Sequence, residues 1–201
     1  MTHPDPAVPP KTRRDGALVR ISRWLAWIGG GLILFCAVPI TLDVAARKLA
    51  GAALFEGYEI STYIFAVAVA LGYGYTLLVG AHIRVDAVYS RFPKTGRALL
   101  DVVAMAAMML VAATLAWYAV DTARESFTMG ARANTTLGTP LAIPQFLWAA
   151  GLVWFALVTV IVLVRTLWLL ARRRIDDVIA VVEGAHVARS EDDTEPTDDK
   201  P

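Results

Sequence analysis

The hydrophobic residues of the chain are collected into four long uncharged runs, and this pattern decides the fold class. All four runs lack Asp, Glu, Lys, Arg and His, and the first three cover residues 24–42, 60–81 and 102–120. The fourth covers 133–164, where Pro140 and Pro144 disfavour helix in the first part, so we predict a helix over 145–164. A helix of about twenty residues rises about 30 Å, the thickness of the hydrocarbon core of a bilayer.

The runs also exclude other classes of protein. Helices of soluble proteins carry a polar face with a period of 3.6 residues, and these runs have none. An outer-membrane barrel needs shorter segments of alternating polarity, which are absent. The first run is too long for a cleaved signal peptide and is followed by three more. The sequence therefore predicts an all-α integral membrane protein with four transmembrane helices.

The composition agrees with this class of protein and argues against nucleic-acid binding and an internal disulfide. Apolar residues make up 57% of the 201 residues and charged residues 18%, against about 45–50% and about 25% in soluble domains. A net charge of +1 gives no basic footprint for nucleic acid. The single cysteine, Cys36, excludes an internal disulfide, and we interpret it as a buried structural thiol.

The distribution of basic residues predicts the orientation. They are most frequent before the first run, between the second and third, and after the fourth, where Arg172, Arg173 and Arg174 follow one another. The other two connections carry fewer. The positive-inside rule therefore places both termini and the 82–101 connection in the cytoplasm.

Three regions follow from this pattern. Residues 1–17 are rich in proline, and we predict a disordered cytoplasmic leader. Residues 18–174 form the four-helix transmembrane domain. Residues 175–201 carry nine acidic and two basic side chains and are predicted to be a solvated cytoplasmic tail. The external connections, 43–59 and 121–144, are too short to fold as domains.

The helices lack the groups that catalysis or cofactor binding would need. Apart from Cys36 and the tyrosines, the four runs contain no ionisable side chain, so no proton relay is expected at mid-depth. His82 lies at a helix end and the other histidines lie in the leader and the tail, so no pair can hold a haem. There is also no phosphate-binding glycine loop. We predict no enzymatic activity, no cofactor and no metal.

Small and charged residues at defined spacings are the remaining candidates. Ala68, Gly72, Thr76 and Gly80 recur every four residues and form a small-residue ridge that packs either within the chain or against a partner. Charged residues lie at the external helix ends, where they are either surface ion pairs or a rim that docks a partner. These residues are Asp43, Arg47, Glu56, Glu59, Asp121, Arg124 and Glu125.

A set of short motifs resembles one family of membrane proteins. The chain has Glu59-Ile60-Ser61 before the second helix and Gly80-Ala81-His82-Ile83-Arg84-Val85-Asp86 at its exit. Before the fourth helix come Thr135-Thr136-Leu137 and then Leu141-Ala142-Ile143-Pro144-Gln145. With Arg47, Gly72 and Pro93, these residues resemble the small membrane subunit of tripartite ATP-independent periplasmic (TRAP) transporters, the DctQ-like family, over about residues 20–172.

The resemblance implies a function and partners. A member of this family is a multi-pass scaffold subunit of the bacterial inner membrane. It supports a large membrane subunit that carries the substrate and sodium sites and moves as an elevator. A periplasmic binding protein delivers the substrate, typically an organic acid, and ATP is not used.

The resemblance also selects residues. The candidates for structural or partner contacts are Arg47, Glu59, Gly72, His82, Asp86 and Pro144. The candidates for contact with the binding protein are Glu56, Asp121 and Arg124. Two alternatives stay open at this point, which are a tetraspan membrane anchor of an electron-transfer or other enzyme complex and a small transporter that acts alone.

Overall fold

The computed structural model describes residues 13–51, 57–81, 92–135 and 137–182, and it is all-helical apart from one isolated antiparallel bridge. Four helices are long and apolar enough to cross a membrane. A fifth, shorter helix follows them. The helices are α1 (Arg13–Ala50), α2 (Gly57–Leu78), α3 (Lys94–Thr128), α4 (Ala142–Ala171) and α5 (Ile175–Val182).

The helices differ in extent from the uncharged runs that predicted them. Helices α1, α3 and α4 run beyond their apolar segments, because charged residues limit depth in a membrane without ending a helix. Helix α4 begins at Ala142, since Pro144 lies in the first turn, where a missing N–H is tolerated. Helix α2 ends earlier than predicted, because Gly80 adopts a φ of 67° and closes the helix with a turn.

The four long helices pack in a spatial order that differs from their order in the chain. Helix α1 packs on α2, α2 on α4, and α4 on α3. Helix α4 is the most enclosed, with 44% of its apolar window buried, against 11% for α1. We call the end that holds the α3–α4 connection the loop end, and the opposite end the α5 end.

Small residues allow the backbones of neighbouring helices to approach closely. A Cβ atom added to Gly151 of α4 would lie 2.9 Å from the backbone carbon of Ala70 in α2. A Cβ atom on Gly29 of α1 would lie 2.7 Å from the carbonyl oxygen of Ala68. Helix α3 contributes a stripe of buried alanines at helical spacing, which are Ala112, Ala116, Ala119 and Ala123. Such contacts supply packing where lipid removes the hydrophobic drive between helices.

Gly72, a member of the predicted ridge, is not part of these contacts. A Cβ atom added there would meet no atom within 4 Å. Of the ridge residues, Ala68 makes the close contact with α1, and the second close contact falls on Ala70, which lies outside the ridge. The tight packing of α2 within the chain therefore uses one position of the predicted ridge, Ala68, and one position outside it, Ala70.

Helix α5 occupies a segment that the sequence assigned to the acidic tail. Its acidic residues lie in the first turn, while Val178 and Val182 are buried. Val178 is completely buried in a cluster with Ala98 of α3 and Leu169 of α4. An exposed ion pair joins Lys94 Nζ to Asp176 Oδ1 at 2.7 Å. The amphipathic period of this segment explains the helix, because one apolar face can cover the ends of α3 and α4.

We expect Val178→Ala to loosen α5 by about 2 kcal/mol, because it removes two buried methyl groups and leaves a small cavity. Hydrogen exchange of the α5 amides in the detergent-purified protein measures this change. Ile179→Ala is the matched control, since Ile179 is only half-buried and lies outside the cluster. Equal protection in the wild type and the Val178→Ala variant would show that this packing does not hold α5.

Candidate functional site

The connection between α3 and α4 is an ordered loop that closes the loop end. Arg132 and Pro140 form an antiparallel bridge, and the N–H of Ala133 donates to the carbonyl of Thr139 at 3.0 Å. The loop reverses direction at Gly138, which has a φ of 54°, a conformation that glycine adopts without strain. Arg132 Nη1 also donates to the carbonyl of Gly138 at 3.1 Å. We call residues 131–141 the hairpin loop.

Glu59 lies beneath the hairpin loop and is almost fully buried, with 6% of its surface exposed. The hydroxyl of Tyr63, one turn along α2, donates to Glu59 Oε1 at 3.1 Å. The hydroxyl of Thr135 donates to Glu59 Oε2, and Thr139 adds hydrogen bonds from its side chain and backbone. One carboxylate therefore accepts hydrogen bonds from α2 and from both sides of the hairpin loop.

This arrangement positions the hairpin loop rather than a reacting group. Glu59 lies in the first turn of α2, where the positive end of the helix dipole stabilises a carboxylate. Its bonds to Thr135 bridge 76 positions of sequence. A carboxylate accepts several hydrogen bonds at once, so Glu59 can attach the loop to α2. The buried carboxylate does not itself form part of the outer surface of the loop.

A second carboxylate at the loop end is held within α1. Asp43 has a side chain that is 7% exposed, and Arg47 covers it from the next turn. Arg47 Nε and Nη2 lie 2.8 Å and 2.6 Å from the same oxygen, Asp43 Oδ2. Arg47 therefore neutralises a buried aspartate at the end of a membrane helix, and its selection as a partner contact stays a prediction.

The other predicted residues at the loop end are more exposed. Asp121 and Arg124 lie on the last turns of α3, both exposed, and neither forms an ion pair within the described part of the chain. Pro144 lies in the first turn of α4. Beside it, Gln145 Oε1 is a buried acceptor without a hydrogen-bond partner. Glu56, His82 and Asp86 lie outside the described residues.

Polar side chains deeper in the helices are satisfied within the chain. Trp154 Nε1 of α4 donates to Ser22 Oγ of α1 at 3.0 Å. The buried hydroxyls of Thr159 and Thr166 donate to the carbonyls four residues earlier in α4, each at 2.8 Å. Cys36 is buried. Over the described ranges, no group of three His, Cys, Asp or Glu residues is placed to hold a metal ion.

Sequence analysis missed the residues that complete the Glu59 site. It singled out Glu59, but not Tyr63 or Thr139, and it quoted Thr135 only as part of a motif. A carboxylate followed four residues later by a tyrosine is a visible local signal. The pairing with the threonines is not visible, because it depends on where the loop between α3 and α4 folds.

A comparison with protein families assigns the chain. The model of the family described as "Tripartite ATP-independent periplasmic transporters, DctQ component" matches residues 36–169, more than half of the chain. The chain belongs to the DctQ family. Neither the curated proteins nor the solved structures gave a match to this sequence. The resemblance that the motifs predicted is therefore confirmed.

Membership in the DctQ family settles the class of protein. The chain is a multi-pass membrane protein and a non-enzymatic permease component of a TRAP transporter. DctQ components work with the other TRAP transporter components, so partners are implied in general terms. The alternative of an anchor for an electron-transfer complex is excluded by this assignment. The matched range contains Glu59, the hairpin loop and all of the polar contacts between them.

Proposed function

We propose that this DctQ component is a static scaffold for a large elevator-type membrane subunit in sodium-coupled uptake of an organic acid. The observation that supports the proposal is that the buried polar side chains named next form their hydrogen bonds within the chain. Glu59, Asp43, Ser22 and the buried threonines of α4 all bond within the chain. A subunit that moved cargo would need polar groups directed into a pathway, whereas a scaffold needs them only to hold its own helices.

The proposed orientation places the loop end in the periplasm and both termini in the cytoplasm of a bacterium, with the four spans in its inner membrane. The support is the excess of basic residues on the α5 end, including Arg172, Arg173 and Arg174. In this orientation the hairpin loop and the end of α3 face the periplasmic binding protein. His82 and Asp86, which lie outside the described residues, stay predicted contacts of the connection assigned to the cytoplasm.

The proposed docking surface for the binding protein is the loop end around Asp121, Arg124 and the hairpin loop, with Glu56 as a further candidate. Both described charges are exposed and lack ion-pair partners in the part of the chain that the structure covers. Hydrogen bonds to Glu59 attach the adjacent loop to α2. Unpaired charges beside an attached loop suit a partner that arrives and leaves repeatedly, since rim charges act mainly on the rate of encounter.

Charge reversal of this surface is expected to slow uptake without loss of assembly. For Asp121→Lys and for Arg124→Glu, each tested singly with the partner components in proteoliposomes, we expect uptake at limiting binding protein to fall roughly tenfold at low salt and less at high salt. Co-purification with the large subunit measures assembly in parallel. Arg20→Glu, a reversal at an exposed arginine of the opposite end, is the control.

The outcomes separate docking from folding. Normal uptake in intact complexes that carry either single reversal would contradict the docking surface. An equal loss of uptake and of co-purified large subunit would instead assign Asp121 and Arg124 to assembly. Uptake by the DctQ component alone in vesicles would contradict the scaffold proposal as a whole, whatever the effect of the charge reversals.

A further inference from the structure

The turn that follows α4 holds an arginine in a conformation that favours glycine. Arg173 has a φ of 57°. Its N–H donates to the carbonyl of Leu170 at 2.9 Å, and the N–H of Arg174 donates to the carbonyl of Leu169 at 3.0 Å. This is a Schellman turn, in which the left-handed position is usually glycine. An arginine in this conformation is less favourable than glycine would be.

The preceding residue, Arg172, makes a cation–π contact with an aromatic ring one turn earlier in α4. The guanidinium carbon of Arg172 lies 4.1 Å from the ring centroid of Trp168, which is 49% exposed. Trp168 continues a line of exposed apolar residues along one face of α4, at spacings of three and four. The members of this line are Leu157, Val160, Ile161, Val164 and Leu167. A tryptophan at the end of an apolar helix face is typical of the membrane boundary.

The other described cations around this turn are already engaged. Arg174 forms an ion pair with Asp177, and Lys94 forms one with Asp176. Arg172 and Arg173 form no ion pair with any residue in the described ranges. Two arginines that are consecutive in sequence therefore lie without an ion pair in the described ranges, at the end of a face of α4 that is exposed in the isolated chain.

We propose that Arg172 and Arg173 bind the headgroup phosphate of an anionic phospholipid, with an acyl chain along the exposed face of α4. Guanidinium groups pair with phosphate through two parallel hydrogen bonds, and the cation–π contact keeps one of them facing the boundary. The apolar line that leads to Trp168 favours a lipid over a soluble anion, because a free phosphate would gain nothing from it. This site does not depend on the transport function.

Native mass spectrometry of the full chain, titrated in detergent with phosphatidylglycerol, tests the site. We expect Arg172→Gln and Arg173→Gly each to weaken lipid binding about tenfold, since each removes a charged hydrogen-bond donor. Lys94→Gln, which removes a paired cation from the same end, is expected to stay within about twofold of wild type. Phosphatidylcholine is expected to bind more weakly than phosphatidylglycerol.

Thermal unfolding distinguishes a lost site from a damaged fold. Without added lipid, Arg173→Gly is expected to have a Tm equal to or above that of wild type, because glycine relieves the left-handed strain. Phosphatidylglycerol is then expected to raise the Tm of wild type more than that of this variant. A lower Tm for lipid-free Arg173→Gly would assign Arg173 to the fold alone and overturn the proposal.

Three further results would also overturn it. An equal loss of binding in Lys94→Gln would indicate attraction to net charge rather than to this pair. Unchanged binding in both arginine variants would place the lipid elsewhere. Displacement of the lipid by millimolar inorganic phosphate would identify a site for a free anion.

Discussion

Replacing Gly151 by alanine is expected to lower the free energy of unfolding by about 1–3 kcal/mol, the range observed when a methyl group is forced into a packed interior. The added Cβ would lie 2.9 Å from both the backbone carbon and the Cβ of Ala70, and 3.0 Å from the backbone nitrogen of Leu71. Backbone atoms cannot rotate away, so α2 and α4 must separate. Unfolding of the purified protein in increasing concentrations of SDS measures the change.

Gly72→Ala is the matched control, because it adds the same methyl group to a membrane helix at a position with no atom within 4 Å. Alanine favours helix over glycine by about 1 kcal/mol, so this variant is expected to be unchanged or slightly more stable. The two substitutions should therefore shift stability in opposite directions. Equal destabilisation by both would show that the loss does not come from the contact between α2 and α4.

The same pair of glycines separates contacts within the chain from contacts with a partner. Gly151 is already covered by α2, whereas Gly72 has open space beside it. If Gly72 belongs to a surface for the large subunit, Gly72→Ala should leave the isolated protein stable and reduce only its co-purification with that subunit. Contact with a partner is the second interpretation of the small-residue ridge. The open space beside Gly72 is compatible with it.

The sequence predicted the spans because burial in lipid is a property of each segment by itself. A helix in a bilayer must satisfy its backbone internally, so twenty apolar residues define it without reference to neighbours. The order in which the helices pack follows from a few close contacts, such as Gly29 on Ala68. Those contacts depend on the rotation of each helix about its axis, which an apolar run on all sides leaves undetermined.

Helix α5 shows a different reason for a missed element. The acidic residues of 175–201 predict a solvated tail. The apolar residues in the first eight positions of that segment predict an amphipathic helix, and the net charge of the whole segment hides this local pattern. Val178 and Val182, four apart, are sufficient for one buried face when α3 and α4 offer a complementary surface. Short helices depend on such tertiary packing, so a charge count over a long segment hides them.

The Glu59 site combines a predicted residue with partners that only the fold brings near. Family resemblance and an acidic residue at a helix start selected Glu59 as a candidate for a structural contact, and its role was open between a surface charge and a docking rim. In the structure it does neither directly, because the carboxylate is covered by the hairpin loop. Its contribution to docking would be indirect, through the loop whose conformation it fixes.

Replacing Glu59 by alanine is expected to release the hairpin loop. The substitution removes the acceptor for Tyr63 and Thr135 and leaves their hydroxyls without that partner near the membrane boundary. Arg132 lies in this loop and is exposed, so limited trypsin digestion after Arg132 reports loop opening. We expect cleavage roughly tenfold faster than in wild type, because proteolysis follows the population of locally open states.

Two further variants decide whether the carboxylate itself fixes the loop. Glu125→Ala removes an exposed carboxylate from the same end and should leave cleavage at Arg132 unchanged. Glu59→Gln keeps one acceptor oxygen and the length of the side chain, so its cleavage rate should fall between wild type and Glu59→Ala. If all three variants are cleaved like wild type, the loop is ordered by its own backbone bonds, and Glu59 has no part in presenting it to the binding protein. If Glu59→Ala opens the loop while the complex with the large subunit persists, slower uptake would follow from a disordered docking surface rather than from lost assembly.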